Sequence, residues 1–171
     1  MSDHQSSFDE LDTCTKAFFA RHWNADCGTE PEWLQPVSIP LHTFPSGEKS
    51  GCYAFFKDGV LLYVGVGIGH GQERYRGAGL GARFWHYFGW DKNIPEQKRL
   101  YNLKPNRFEK AGGTHLTVIP FEYEYAYLAA ALEVYLIREL KPPLNSHQNR
   151  NYSPKHESNL PEIQTEYIDQ M

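Results

Sequence analysis

Two apolar runs within residues 51–65, GCYAFFK and VLLYVG, lie almost end to end and are separated by Asp58-Gly59. Both are rich in aromatic and β-branched residues, and the turn signal between them predicts an antiparallel hairpin. Read as a three-residue loop, Lys57-Asp58-Gly59 forms a type I turn followed by a left-handed glycine, closed by Phe56 and Val60. Phe55 then meets Leu61, Ala54 meets Leu62, and Tyr53 meets Tyr63. Alternation places Ala54, Phe56, Val60, Leu62 and Val64 on one face, the natural core side. Tyr53, Phe55, Leu61, Tyr63 and Gly65 share the other. A two-residue Asp58-Gly59 loop would instead put the tyrosines on opposite faces.

The period changes elsewhere. Residues 7–23 read as a helix, opened by a capping box of Ser7 and Glu10 and carried by Leu11, Phe18 and Phe19. The segment 122–141 gives the strongest helical pattern. Ala126, Ala129, Ala130, Leu132, Leu136, Ile137 and Leu140 share one arc, and Pro142-Pro143 ends it. Residues 82–88 read as a short helix, 92–111 as helix plus loop, and 115–119 as a strand. Residues 24–50 carry four prolines (31, 36, 40 and 45) and read as a tethered, extended arm. The stretch 65–81 reads as a glycine-rich loop. After Asn145 the chain is polar, and an extended or partly disordered tail is expected. These elements predict an α+β fold: a core domain over 49–146, an N-terminal helix and arm over 1–48, and a tail over 147–171.

With 171 residues the chain is long enough for a self-sufficient core. Its three cysteines are scattered, which argues against a disulfide framework or a structural zinc site. No apolar run reaches membrane-spanning length, so a cytoplasmic protein is expected. The formal net charge is −4, but it is unevenly spread. Residues 49–110 hold eleven basic against five acidic side chains, between two acidic flanks. Such a local cation steers a polyanion even where the total charge does not.

Some residues depart from the structural pattern. Glu133 falls inside the apolar arc of the 122–141 helix, where an ionised carboxylate is costly unless paired, hydrated or bound to a metal. Arg83, His86 and Tyr87 lie at i, i+3 and i+4 and share a helix face. An arginine fork beside an imidazole suits a phosphate and its leaving group. The glycines of 65–81 do not fit a dinucleotide fingerprint, because His70 and Gln72 stand where glycine is needed.

Taken in order, these pieces resemble the GIY-YIG nucleases, from Gly51 to Asn145. Gly51-Cys52-Tyr53 and Tyr63-Val64-Gly65 stand for the two tripeptides. Leu80 to His86 is similar to the arginine helix. Leu132 to Ile137, followed by Lys141-Pro142-Pro143-Leu144-Asn145, is similar to the glutamate helix and its end. Two departures stand out: a long glycine-rich segment before Arg83, and Val66 where many members carry lysine. The resemblance implies a three-stranded antiparallel sheet flanked by helices. It also implies an endonuclease, restriction-type or structure-specific, that hydrolyses DNA phosphodiesters with one Mg²⁺ or Mn²⁺ held by Glu133. Tyr53 would be the base or would orient the water, Tyr63 would hold water or phosphate, Arg83 would clamp the phosphate, and His86 is the alternative proton acceptor. Gly65 and Asn145 would support the site. Arg74, Arg76, Lys98, Arg99, Lys104 and Arg107 are the expected DNA contacts, with a homodimer where both strands are cut. The alternatives are a non-catalytic nucleic-acid-binding module on the same scaffold, and an interaction protein in which Glu133 is a structural ion-pair partner.

Overall fold

The computed structural model describes residues 7–69 and 79–145. In chain order the elements are α1 (Phe8–His22), β1 (Val37–Ser38), β2 (Ser50–Lys57), β3 (Val60–Gly67), α2 (Leu80–Tyr87), β4 (Phe88–Gly89), β5 (Asn102–Leu103), α3 (Arg107–Lys110), β6 (His115–Phe121) and α4 (Ala126–Leu140). The main sheet is antiparallel with order β1-β6-β2-β3, so it has four strands rather than the expected three. The added strand, β1, comes from the proline-rich arm and pairs Val37 with Leu116. Strands β4 and β5 form a separate two-stranded ribbon.

The helical expectations are met by local chemistry. Ser7 caps α1 by accepting from the Glu10 backbone N–H, and the Glu10 carboxylate accepts from the Ser7 N–H. Helix α4 ends at Lys141, which takes a left-handed conformation at φ 48°, just before the two prolines. Its start is later than expected, because residues Tyr123–Tyr125 form a 3₁₀ turn.

The hairpin differs from its expected register in two ways that offset each other. Its loop is the two-residue Asp58-Gly59 turn, with φ of 49° and 85°, and Lys57 pairs with Val60. Positive φ at both positions is the requirement of a type I′ turn. Alone, that turn would separate the tyrosines. However, the register slips between Phe55 and Phe56, so Leu62 is an extra residue on β3. This bulge restores the shared face. Phe55 then pairs with Tyr63, and Tyr53 pairs with Gly65.

Both faces of the sheet are buried, not one. Ala54, Phe56, Leu61 and Val64 pack with Ile119 against α1 and α4, through Leu11, Phe18, Phe19, Leu132 and Leu136. Helix α1 and Trp33 are thus integral to the core. Tyr53, Phe55, Leu62 and Tyr63 form a second core with Phe84, Phe88 and Phe108. Leu61 and Leu62 therefore occupy the opposite faces from those expected. Among the described residues no helix is long and apolar enough to cross a membrane.

Candidate functional site

Strand β3 is the edge of the sheet beyond β2, so alternate backbone groups on it lack a strand partner. Side chains take their place. Asn145, which is buried, accepts from the Val64 N–H at 3.0 Å and donates to the Val64 carbonyl at 2.9 Å. Two residues on, the Val66 backbone donates to the Glu133 carboxylate, and its carbonyl accepts from Arg83 Nε at 3.3 Å. The edge thus draws a carboxylate from α4 and a guanidinium from α2 onto one residue. Val66 contributes through its backbone, which does not depend on its side chain.

The two tyrosines lie on the same strand pair, with ring centroids 5.9 Å apart. The Tyr53 ring crosses directly over Gly65. A Cβ there would lie 2.5 Å from Tyr53 Cζ and Oη and 2.7 Å from Tyr63 Cε1. Tyr53 is 1% exposed and Tyr63 7% exposed. The Tyr53 hydroxyl is 2.8 Å from that of Tyr87, whose helix also carries Arg83. Helix α2 is held in place by hydrogen bonds from the Leu80 and Gly81 N–H groups to the Lys49 and Gly47 carbonyls.

The electrostatics show which groups face one another. Burial pushes the Tyr53 phenol far above its usual range, and the neighbouring Tyr63 and Tyr87 add to this against the pull of Arg83. Burial also raises Tyr63, as does Tyr87, while Arg107 and a hydrogen bond with Tyr53 lower it. The Glu133 carboxyl is raised by burial, offset in part by Arg83 and by the Val66 hydrogen bond. Glu133 forms no ion pair among the described residues.

The structure therefore brings Tyr53, Tyr63, Gly65, Arg83, Glu133 and Asn145 around one stretch of β3. His86 lies on α2 with Arg83 but is exposed, and no hydrogen bond joins it to this group among the described residues. The expected DNA contacts separate. Arg107 joins the cluster, with its guanidinium 4.4 Å from the Tyr63 ring centroid. Lys104 donates to the Trp85 carbonyl at 2.5 Å, and Arg99 lies over the Trp90 ring at 5.4 Å. Lys98 is exposed in a 3₁₀ turn. Arg74 and Arg76 fall outside the described residues, as does the tail from residue 146.

Two residues take places beside the tyrosine pair that the sequence did not assign them: Tyr87, expected only to share a face with Arg83, and Arg107, expected only as a DNA contact. Tyr87 shared a helix face with Arg83, and that i, i+4 spacing was a usable signal. Arg107 had none, since its contact with Tyr63 spans the fold. Asn106 links the two: it donates to the Tyr87 carbonyl at 3.1 Å and caps α3 by accepting from the Phe108 and Glu109 N–H groups.

Glu133 suits a hard divalent cation. It is a half-buried carboxylate that burial disfavours, and among the described residues no cation forms an ion pair with it. No group of three metal-ligating side chains occurs among the described residues. A single protein oxygen matches Mg²⁺, which keeps most of its waters and is completed by substrate phosphate. No family model, curated protein or solved structure matches this chain.

Proposed function

We propose that the protein is a divalent-metal-dependent endonuclease of the GIY-YIG type, acting on DNA. The observation that carries this reading is the convergence of Glu133 and Arg83 on Val66, beside the Tyr53–Tyr63 pair. A carboxylate and an arginine fork at one place, flanked by hydroxyls, suit hydrolysis of a phosphodiester. Glu133 would hold Mg²⁺ or Mn²⁺, which supplies charge stabilisation to the phosphoryl group and the leaving oxygen. Arg83 clamps a non-bridging phosphate oxygen.

The buried Tyr53 is a poor proton acceptor, because its phenol is held neutral and its hydroxyl is engaged with Tyr87. It is better suited to positioning. Tyr63 carries the acceptor role in this reading because it is less deeply buried than Tyr53 and lies against the Arg107 guanidinium. That cation, with the hydrogen bond from Tyr53, partly offsets the upward push of burial, Tyr87 and Glu133 on its phenol, which makes the Arg107 contact important. His86 is the competing acceptor on α2, as imidazole is the usual proton acceptor near neutral pH.

The test is cleavage of supercoiled plasmid with Mg²⁺ or Mn²⁺, with EDTA, and with Glu133→Ala. Cutting that requires metal and is lost in the variant is expected. Tyr63→Phe should then cost far more activity than His86→Ala. No cutting with either metal would refute the nuclease reading and leave the binding module.

A further inference from the structure

A second surface lies on the flank of α2 away from Arg83. Trp85 comes two residues after Arg83, about 200° around the helix, which places it roughly one helix diameter from the cluster. Its side chain is 43% exposed, although the ring is well held. Phe44, Trp90 and Tyr101 meet it edge to face, with centroids 5.1, 4.8 and 5.7 Å away. None of these contacts is a parallel stack. Leu100 and Ile94, on the same connecting segment, are also exposed.

The surroundings are cationic. Lys104 is tied to the Trp85 carbonyl, and Arg99 lies over Trp90 with Lys98 beside it in sequence. Lys92 follows Trp90 by two residues. The nearby acids are Asp91, which accepts from the Asn93 N–H, and Glu96, which reaches Arg99 only at 3.9 Å. An exposed, well-held indole with Lys104 on its backbone carbonyl and Arg99 over the neighbouring Trp90 is unlike an apolar protein-docking patch. It has the two parts of a single-strand site: a π-face for a base and cations for the backbone.

We infer that the surface centred on Trp85, with Trp90, Tyr101, Arg99, Lys98 and Lys104, binds single-stranded DNA by stacking an unpaired base on the Trp85 indole. Double-stranded DNA offers no free base face, so the surface discriminates between the two forms. The inference goes beyond the cleavage reading and needs no turnover. It would direct the enzyme to DNA carrying an unpaired segment next to the scissile phosphate.

The test is titration of the full chain with short oligo-dT in EDTA, followed by tryptophan fluorescence and by anisotropy of a labelled oligonucleotide. Quenching on binding is expected, with affinity that falls as salt rises. Trp85→Ala should weaken binding by about 5- to 150-fold, from the usual worth of one stacked base. Trp85→Phe, which keeps an aromatic face and the packing against Phe44, should retain most of the affinity. A blunt duplex of equal length should bind more weakly than oligo-dT. Unchanged affinity in Trp85→Ala, preference for the duplex, or no binding of oligo-dT would each overturn the inference. Because metal is absent throughout, it can fail while metal-dependent cutting stands, and the reverse.

Discussion

Gly65→Ala tests the geometry of the tyrosine pair most directly. The added methyl would lie 2.5 Å from two atoms of Tyr53 and 2.7 Å from Tyr63. Neither phenol is free to swing away. Tyr53 is packed edge to face against Phe55 and Phe84, and Tyr63 packs against Phe108 and the Arg107 guanidinium. Overpacking of this kind costs about 1–3 kcal/mol. Displacing the Tyr53 hydroxyl from Tyr87 adds about 0.5–1.5 kcal/mol. The expected loss is therefore about 1.5–4.5 kcal/mol. For a folded region of this size that corresponds to a fall of about 6–15 °C in Tm.

Gly59→Ala is the control within the same hairpin. No atom lies within 4 Å of a Cβ there, but φ is +85°. Its cost is backbone strain alone, about 1–2 kcal/mol, and it leaves the tyrosines in place. Thermal melts give the stabilities, and near-ultraviolet circular dichroism reports the tyrosine environment. Only Gly65→Ala should change the near-ultraviolet signal. A Gly65→Ala protein that melts within about 2 °C of wild type, with an unchanged signal, would refute the close approach of the Tyr53 ring to β3.

Asn145→Ala strips partners from both backbone groups of Val64, so a loss of about 2–5 kcal/mol is expected in urea unfolding. Asn145→Asp should be no better, because a carboxylate can accept from the N–H but faces the Val64 carbonyl; a neutral Asp variant would contradict the edge-cap assignment. Tyr53 has a folded-state pKa above the usual 10.0, so above that pH the folded state binds more protons than the unfolded chain and stability falls as pH rises. Tyr53→Phe should flatten this alkaline decline, and parallel declines in the two proteins would count against burial of the phenol. Arg107→Lys keeps a charge but loses the planar contact with the Tyr63 ring; it should raise the Tyr63 phenol in an ultraviolet titration, and no shift would separate Arg107 from the site.

Elements specified by neighbouring residues were legible in the sequence. The capping box of α1 lies within four residues, and the apolar arc of α4 repeats over its whole length before two prolines stop it. The hairpin was legible as a hairpin but not in register. Alternation marks register only where one face is polar. Here both faces of β3 are buried, and Leu61 and Leu62 are chemically equivalent, so nothing in the sequence identifies the bulged residue. Strand β1 is two residues long and exists through pairing with β6, far along the chain. For the site, Glu133 and Arg83 stood out because each conflicts with or exceeds the needs of its helix. Their meeting at Val66, and the contact of Arg107 with Tyr63, depend on the edge of the sheet and on packing across it. Those contacts are set by the fold as a whole and leave no local pattern.

Glu133 offers the sharpest separation of a functional carboxylate from a structural one. Its pKa is raised by burial above the ordinary 4.5, with Arg83 and the Val66 N–H only partly opposing. In the window from 4.5 up to that raised value the folded state binds more protons than the unfolded chain. Stability therefore falls as pH rises through the window, and the deficit persists at neutral pH. Glu133→Gln keeps an oxygen acceptor for the Val66 N–H and removes the charge. It should be more stable than wild type at pH near 7 and lose that advantage at a pH below 4.5, as read by urea midpoints. Millimolar Mg²⁺ should raise the Tm of wild type, because binding to the folded state alone is stabilising, and leave the glutamine variant unmoved. A carboxylate retained for an ion pair with Arg83 behaves in the opposite way. Its replacement would lower stability at neutral pH, and Mg²⁺ would act equally on both proteins. A variant that is more stable and also unable to cut DNA would mean that the chain keeps Glu133 at a cost to its fold, for the chemistry at the edge of β3.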